Sequence, residues 1–182
     1  MKGQGGHVLF NPSLVTLAQR IALHIESLVP RGRARCLDIG CGDMSLVEAI
    51  QARKSHTEWR CIDVHAAPQA PELRDDARWR KYLQFDGRTI PYSDGEFDVA
   101  LLCDVLHHAP EDGARLLAEA GRVARHVLVK DHFTREAFVR LATEQRLFIT
   151  ALDSGVDLHD PLPVPGALLR PDWQFIAVLR SG

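Results

Sequence analysis

No apolar run in this sequence approaches the roughly 20 residues that a membrane-crossing helix needs. The opening stretch Met1-Lys2-Gly3-Gln4-Gly5-Gly6 also lacks the apolar centre of a secretory signal. Basic residues are not in excess. The net charge is −2 with no Lys/Arg stripe, which argues against nucleic acid as a partner. The four cysteines, Cys36, Cys41, Cys61 and Cys103, form no CxxC pair and lie in or beside apolar segments. They read as reduced thiols of a cytoplasmic protein, not as a disulfide framework or a zinc knuckle. Also missing is the Gly-x-Gly-x-x-Gly fingerprint of a dinucleotide site, which argues against nicotinamide chemistry.

What is present is average for a globular chain: 46% hydrophobic and 25% charged residues. A length of 182 residues suits one domain with a proper core and is short for two. Asn11-Pro12 is a helix start, and Leu14, Leu17, Ala18, Ile21, Ile25 and Leu28 follow at helical spacing until Pro30 and Gly32. Ala34–Ile39 reads as a buried strand. A Gly-containing turn follows, then a helix for which Ser45 and Glu48 have capping-box spacing. Further strands are expected at Glu58–Val64, Lys81–Phe85, Asp98–Cys103 and His126–Lys130. Helices are expected at Asp112–Ala124 and Thr134–Gln145, and two closing strands at Leu147–Leu152 and Gln174–Leu179. Alternating strands and helices mean an α/β fold with a mainly parallel sheet. Gly155–Pro171, with Pro161, Pro163, Pro165 and Pro171, is read as a long irregular connection.

The turn Asp38-Ile39-Gly40-Cys41-Gly42 carries the first chemical signal. Glycines let a ligand approach the backbone, since no Cβ stands in the way. A carboxylate just ahead of them would repel a phosphate but suits a ligand bearing an amino group and a sulfonium cation. Asp63, at the end of the second strand, stands where a carboxylate accepts hydrogen bonds from a ribose diol. His107, His108 and His132 fall beyond the carboxyl ends of strands, where open α/β sheets bind ligands. His24, His56, His126 and His159 have no partner at motif spacing. Asp104 and Asp131 are of metal-ligand type, but their spacing matches no ligand set. A polar or acid/base wall is expected there, and no metal. Trp59, Trp79 and Trp173 read as core.

Taken together, these segments resemble the class I S-adenosylmethionine-dependent methyltransferases, in particular their type 11-like small-molecule branch. Cys36-Leu37-Asp38-Ile39-Gly40-Cys41-Gly42-Asp43 resembles the glycine-rich first motif, and Cys61-Ile62-Asp63-Val64 the second-strand motif. Asp86-Gly87 with Ile90–Asp98 resembles the adenine-side loop. Cys103-Asp104-Val105-Leu106-His107-His108 resembles the turn facing the transferred methyl, and Val127–His132 the fifth-strand motif. The resemblance covers about Ala34 to His132. It implies a Rossmann-like three-layer sandwich with a seven-stranded, mostly parallel sheet whose last strand is antiparallel.

The resemblance further implies that Asp38, Gly40, Cys41 and Gly42 cradle the methionine half of S-adenosylmethionine. Asp63 would hold the ribose and Val64 pack on the adenine. Asp86 would accept from the adenine amino group beside Gly87, and Cys103 would offer its carbonyl to the ammonium. His107 and His108 are the catalytic candidates, one of them facing a small-molecule acceptor and the other packed. A single domain over 1–182 is expected, with a cap helix in 1–32, a cofactor core in 33–132 and a C-terminal half in 133–182. In that last part the Pro-rich stretch 155–171 would shape the acceptor pocket. The expected assembly is a monomer or homodimer. The family often has a third glycine where this chain has Met44, which would put a thioether near the methionine tail. That departure, and the short region after His132, leave a non-catalytic cofactor-binding homologue or partner subunit as the alternative.

Overall fold

The computed structural model describes residues 12–53, 56–67, 77–154 and 173–181. Seven strands form one sheet. They are β1 (Ala34–Ile39), β2 (Thr57–Asp63), β3 (Tyr82–Gln84), β4 (Phe97–Cys103), β5 (Ala124–Phe133), β6 (Leu147–Ser154) and β7 (Trp173–Ser181). Their spatial order is β3-β2-β1-β4-β5-β7-β6. All neighbours from β3 to β5 pair in parallel, whereas β7 runs antiparallel to both β5 and β6. The order reverses between β1 and β4, and such a switch point opens a crevice at the carboxyl ends of the strands.

Four helices are described: α1 (Pro12–Leu28), α2 (Ser45–Gln51), α3 (Gly113–Val123) and α4 (Arg135–Glu144). Their faces explain the three layers. Successive side chains of a strand point to opposite faces. On β4, Val99 and Leu101 therefore join one cluster with Leu17, Ile21 and Ile25 of α1 and Val47 and Ile50 of α2. Ala100 and Leu102 join the opposite cluster with Leu116, Leu117 and Ala120 of α3 and Phe138 of α4. A strand covered on both faces has to be apolar throughout, which is why Val-Ala-Leu-Leu is uninterrupted.

Two boundaries differ from the expectation. The Ser45/Glu48 capping box does not form: Ser45 lies inside α2, Met44 is the cap residue without a side-chain bond, and Asp43 Oδ1 accepts the Ser45 N–H at 2.9 Å. Strand β5 continues past Lys130 to Phe133, because Asp131, His132 and Phe133 also pair with β7. Helix α4 is capped by Thr134, whose hydroxyl accepts the Ala137 N–H at 3.2 Å, a bond worth about 1 kcal/mol. Asn11 and the stretch 155–171 lie outside the described residues.

Candidate active site

Strand β1 ends in a turn welded to β2: the Gly40 and Cys41 N–H groups both donate to the Ile62 carbonyl, at 2.8 and 3.2 Å. Gly40 has φ +75°, and a Cβ there would lie 2.6 Å from Val105 Cγ2. Only glycine therefore lets the turn after β1 touch the turn after β4. A Cβ at Gly42 would meet nothing within 4 Å, so that side of the turn is open to a ligand. Met44 adopts φ +64°, a conformation that costs a side-chain-bearing residue about 1–2 kcal/mol. Its side chain is fully buried in the cluster with α1 and α2 and is not among the cavity-lining residues. The thioether packs in the core, away from the ligand side.

The electrostatics of this turn favour a cation. Asp38 is 3% exposed; burial, and next the charge of Asp63, push its pKa up to about 7. Asp63 is also buried, which by itself would raise its pKa. The His65 and Gly42 N–H groups and the His65 ring outweigh that effect and hold it below the ordinary carboxylate range. Its Oδ2 accepts from Gly42 N at 2.9 Å, and its Oδ1 from His65 N at 3.0 Å and the His65 ring at 2.8 Å. Two carboxylates beside one turn, with no ammonium or guanidinium bonded to either among the described residues, suit a ligand that brings positive charge. The Cys41 thiol is kept protonated by its bond to Cys61 and by burial. Burial does the same for Cys103.

A cavity of about 620 Å³ runs from this turn along the sheet edge, within the usual range for a small-molecule site. At its far end Asp86 closes an Asx turn, its Oδ1 accepting the Arg88 and Thr89 N–H groups at 2.8 and 2.7 Å. Those two bonds, Thr89 first, draw the exposed Asp86 below its ordinary pKa. Gly87 follows with φ +78°, where a Cβ would stand 3.0 Å from Val64 Cγ1. The loop onward into β4 is fastened by Arg122 of α3, which donates to the carbonyls of Ile90 and Tyr92 (both 2.9 Å) and to Asp94 Oδ1 (2.7 Å).

The opposite end is made of charged side chains. Asp104, just past β4, has φ +55°, and its carboxylate receives both bonds of the fully buried Lys130 ammonium, at 2.6 and 2.7 Å. Asp131, also fully buried, accepts from Val105 N (3.2 Å), Leu106 N (2.8 Å), His132 N (2.7 Å) and His107 Nδ1 (2.5 Å). These bonds shape the short 3-10 turn Leu106–His108. The His107 ring lies 3.9 Å from that of His108 and 5.5 Å from that of His132. Asp104, His107 and Asp131 lie close enough to approach a single ion, but Lys130 and four N–H groups already engage their oxygens.

Of the residues singled out from sequence, Gly40, Asp63, Val64, Asp86, Gly87 and His108 line the cavity. Asp38, Cys41, Gly42 and Cys103 lie behind or beside it in the strand ends and turn, and His107 lies against His108. Sequence reasoning missed His65, Phe85, Asp112 and Leu116 in the wall. It also missed the Lys130–Asp104 pair and the binding of His107 by Asp131. A Lys-Asp pair within an otherwise apolar strand is a signal that could have found the last two, since buried charges need partners.

Comparison with known proteins follows the same lines. Residues 37–127 match the methyltransferase domain family. A biotin biosynthesis bifunctional protein BioCD of Bordetella avium is 31% identical over 94 residues, 49% of this chain and 19% of that protein. This chain thus spans about a fifth of the curated relative it matches. Among solved structures, the cyclase SpnF superposes with a TM-score of 0.66 at 18% identity, covering 89% of this chain and 80% of the other. The 1,6-didemethyltoxoflavin-N1-methyltransferase of Burkholderia thailandensis, with S-adenosylhomocysteine bound, gives 0.65 at 15% identity, covering 96% and 81%. At such identities these two likenesses speak for the fold alone.

Proposed function

The chain belongs to the class I S-adenosylmethionine-dependent methyltransferases, and from that premise we propose that it methylates a small-molecule acceptor held over the turn after β4. One observation carries the reading: one cavity is lined by Gly40 of the glycine turn, the ionised Asp63, and Asp104 and His108 of the turn after β4. The residues present fit the cofactor. Gly42 leaves open space, Asp38 is a buried carboxylate with no cation bonded to it among the described residues, and Val64 and Gly87 stand together in the cavity wall. In this reading Asp38, Gly40, Cys41, Gly42 and the Cys103 carbonyl hold the methionine end. Asp63 takes the ribose hydroxyls, and Val64, Asp86 and Gly87 take the adenine.

When bound, S-adenosylmethionine supplies a methyl group already activated on sulfonium. The protein's main task is then to hold the acceptor in line, which is worth up to roughly 7–11 kcal/mol of barrier. His107 and His108 are the catalytic candidates in this reading, one to meet the acceptor and the other packed; His108 lines the cavity. Of the two reasons to weigh a non-catalytic homologue, an intruding Met44 falls away, because that side chain lies in the core; the short region after His132 remains the other. We assign 1–182 to one methyltransferase domain, monomeric or homodimeric, in which the undescribed stretch 155–171 shapes the acceptor pocket. We place the protein in the cytoplasm; no helix among the described residues is long and apolar enough to cross a membrane.

Calorimetry tests the cofactor. S-adenosylhomocysteine should bind and NAD should not, and heat from NAD alone would refute the reading. Mass spectrometry of small molecules methylated in a cell extract by the protein then identifies the acceptor. Methyl incorporated only into macromolecules would overturn the small-molecule proposal. Shortening 155–171 with its ends rejoined should reduce turnover and spare S-adenosylhomocysteine affinity.

A further inference from the structure

Resting on the methyltransferase reading, we propose that Asp131 is a positioning residue: it holds His107 with the hydrogen on Nδ1, so that Nε2 takes the proton of a hydroxyl acceptor. Asp131 is fully buried, and three of its four hydrogen-bond partners are backbone N–H groups of Val105, Leu106 and His132. Those donors cannot reverse their roles. They fix the carboxylate in place as an acceptor, and its fourth partner, His107 Nδ1 at 2.5 Å, must then donate. A neutral imidazole with Nδ1–H has a bare Nε2. The His107 side chain is 31% exposed, and its ring lies against the His108 ring that walls the cavity.

The neighbours leave this role to His107. His132 has its Nε2 committed to Asp104, at 3.2 Å. Burial, and next Lys130, hold its pKa below the usual value. Asp104 is in turn neutralised by Lys130. Among the described residues no carboxylate bonds His108. The charged and titratable groups facing His107 are thus Asp131, Lys130 and His132 from β5, Asp104 from the end of β4, and His108 from its own turn.

A base so held speaks to the acceptor class. An amine attacks through its own lone pair: an alkyl ammonium first exchanges a proton with water, and the methylated product sheds another afterwards. A hydroxyl is a poor nucleophile until its proton leaves, and it needs a base at hand. In the step, the hydroxyl oxygen's electron pair forms the bond to the methyl carbon while the carbon–sulfur bond breaks and leaves its pair on sulfur. The hydroxyl proton passes to His107 Nε2, and the imidazolium is stabilised by Asp131.

The test reads the ring directly. In protein with 15N-labelled histidine and bound S-adenosylhomocysteine, His107, assigned by its loss in His107→Gln, should show Nδ1–H and bare Nε2 near pH 8. Asp131→Asn presents an amide donor to Nδ1 and should move the hydrogen to Nε2. Phenol and 4-nitrophenol serve as acceptor probes. Near pH 8 the second is mostly ionised and needs no base. Both Asp131→Asn and His107→Gln should slow transfer to phenol by about 10²–10⁴-fold and spare transfer to 4-nitrophenol, with S-adenosylhomocysteine affinity unchanged. A wild-type ring protonated at Nε2, or equal losses on both phenols, would overturn the proposal, and wild-type transfer to neither phenol would overturn the hydroxyl class. Loss of S-adenosylhomocysteine binding in the wild type would sink the underlying methyltransferase reading instead, while the tautomer still decides the role of Asp131.

Discussion

At the β1–β2 end of the cavity the turn is held mainly by its own backbone N–H groups. Gly40 and Cys41 N–H groups meet one carbonyl, Gly42 N–H meets Asp63, and the turn needs few side chains. At the β4–β5 end a similar turn is held by side chains that are distant in sequence, Lys130 on Asp104 and Asp131 on His107 and the backbone of Val105 and Leu106. The first end is built to let a ligand in close; the second presents titratable groups at fixed positions. The two should therefore break differently. Damage to the side-chain end should appear in stability, and damage to the backbone end in affinity wherever the altered group lines the cavity.

The largest effect should come from Lys130→Met. Removing one partner of a buried pair typically costs about 3–5 kcal/mol. The low end applies, because the Asp104 side chain is 29% exposed and also faces His132. About 3 kcal/mol is roughly 6–12 °C in melting temperature for a chain of this size. Adding Asp104→Asn should recover much of it, since no unpaired carboxylate then remains. A melting point moved by less than roughly 2 °C would show that the pair does not hold the turn.

Met44→Gly sharpens the comparison from the other end. Glycine removes a backbone cost of about 1–2 kcal/mol, but truncating a buried methionine loses about 2–5 kcal/mol. The variant should be less stable by up to roughly 4 kcal/mol, the difference of those two terms. Its affinity for S-adenosylhomocysteine should stay as it is, because the side chain is not in the cavity wall. A gain in stability would mean that strain outweighs packing.

Next come the carboxylates. Hydrogen bonds to a charged acceptor are worth about 1.5–3 kcal/mol each, so Asp63→Ala should weaken S-adenosylhomocysteine binding about tenfold or more. Asp86→Ala should hurt less, since Val64 and the Gly87 backbone stay in the cavity wall. The reverse order by calorimetry would misplace the adenine.

The smallest effect is a pH dependence from Asp38. Its pKa rises from an ordinary value near 3.9 to about 7 in the folded protein, so the folded state holds the proton more tightly than the unfolded chain does. Its contribution to stability is complete below about pH 4 and fades as pH rises through about 7. Asp63 runs the opposite way, contributing above its ordinary pKa and losing that contribution in acid. Unfolding of the ligand-free protein at pH 6 and pH 8 should differ less in Asp38→Asn. Wild-type S-adenosylhomocysteine binding at pH 6 should release a proton, read from two buffers of different ionisation heat, and the variant should not.

Legibility followed the range of the interactions. The strands and the α3 face Leu116, Leu117, Ala120 and Val123 show in the spacing of apolar residues, and periodicity located them; the Gly40–Gly42 turn shows in its residue types, although Ile62 and Asp63 hold it. The α2 start did not follow its local spacing. Ser45 and Glu48 fit a capping box, yet Asp43 took the Ser45 N–H, and Met44 turned left-handed to bury its side chain. The extension of β5 was hidden because Lys130-Asp131-His132 looks like a polar strand end. Nothing nearby in sequence shows that Asp104 and the Val105 and Leu106 N–H groups are waiting for those charges.

What the amino-acid sequence determined by itself was the α/β order, the buried faces and the glycine–carboxylate pattern of a methyl-donor site, since each depends on residue type and local spacing. Which histidine is tethered and which one walls the cavity was decided only in three dimensions. So was the fate of the Met44 side chain, and so was the match of two buried carboxylates with their donors. Those outcomes depend on bringing together groups some 26 positions apart, as in Asp104–Lys130. For a buried charge the position of its partner, not its own identity, sets its free energy.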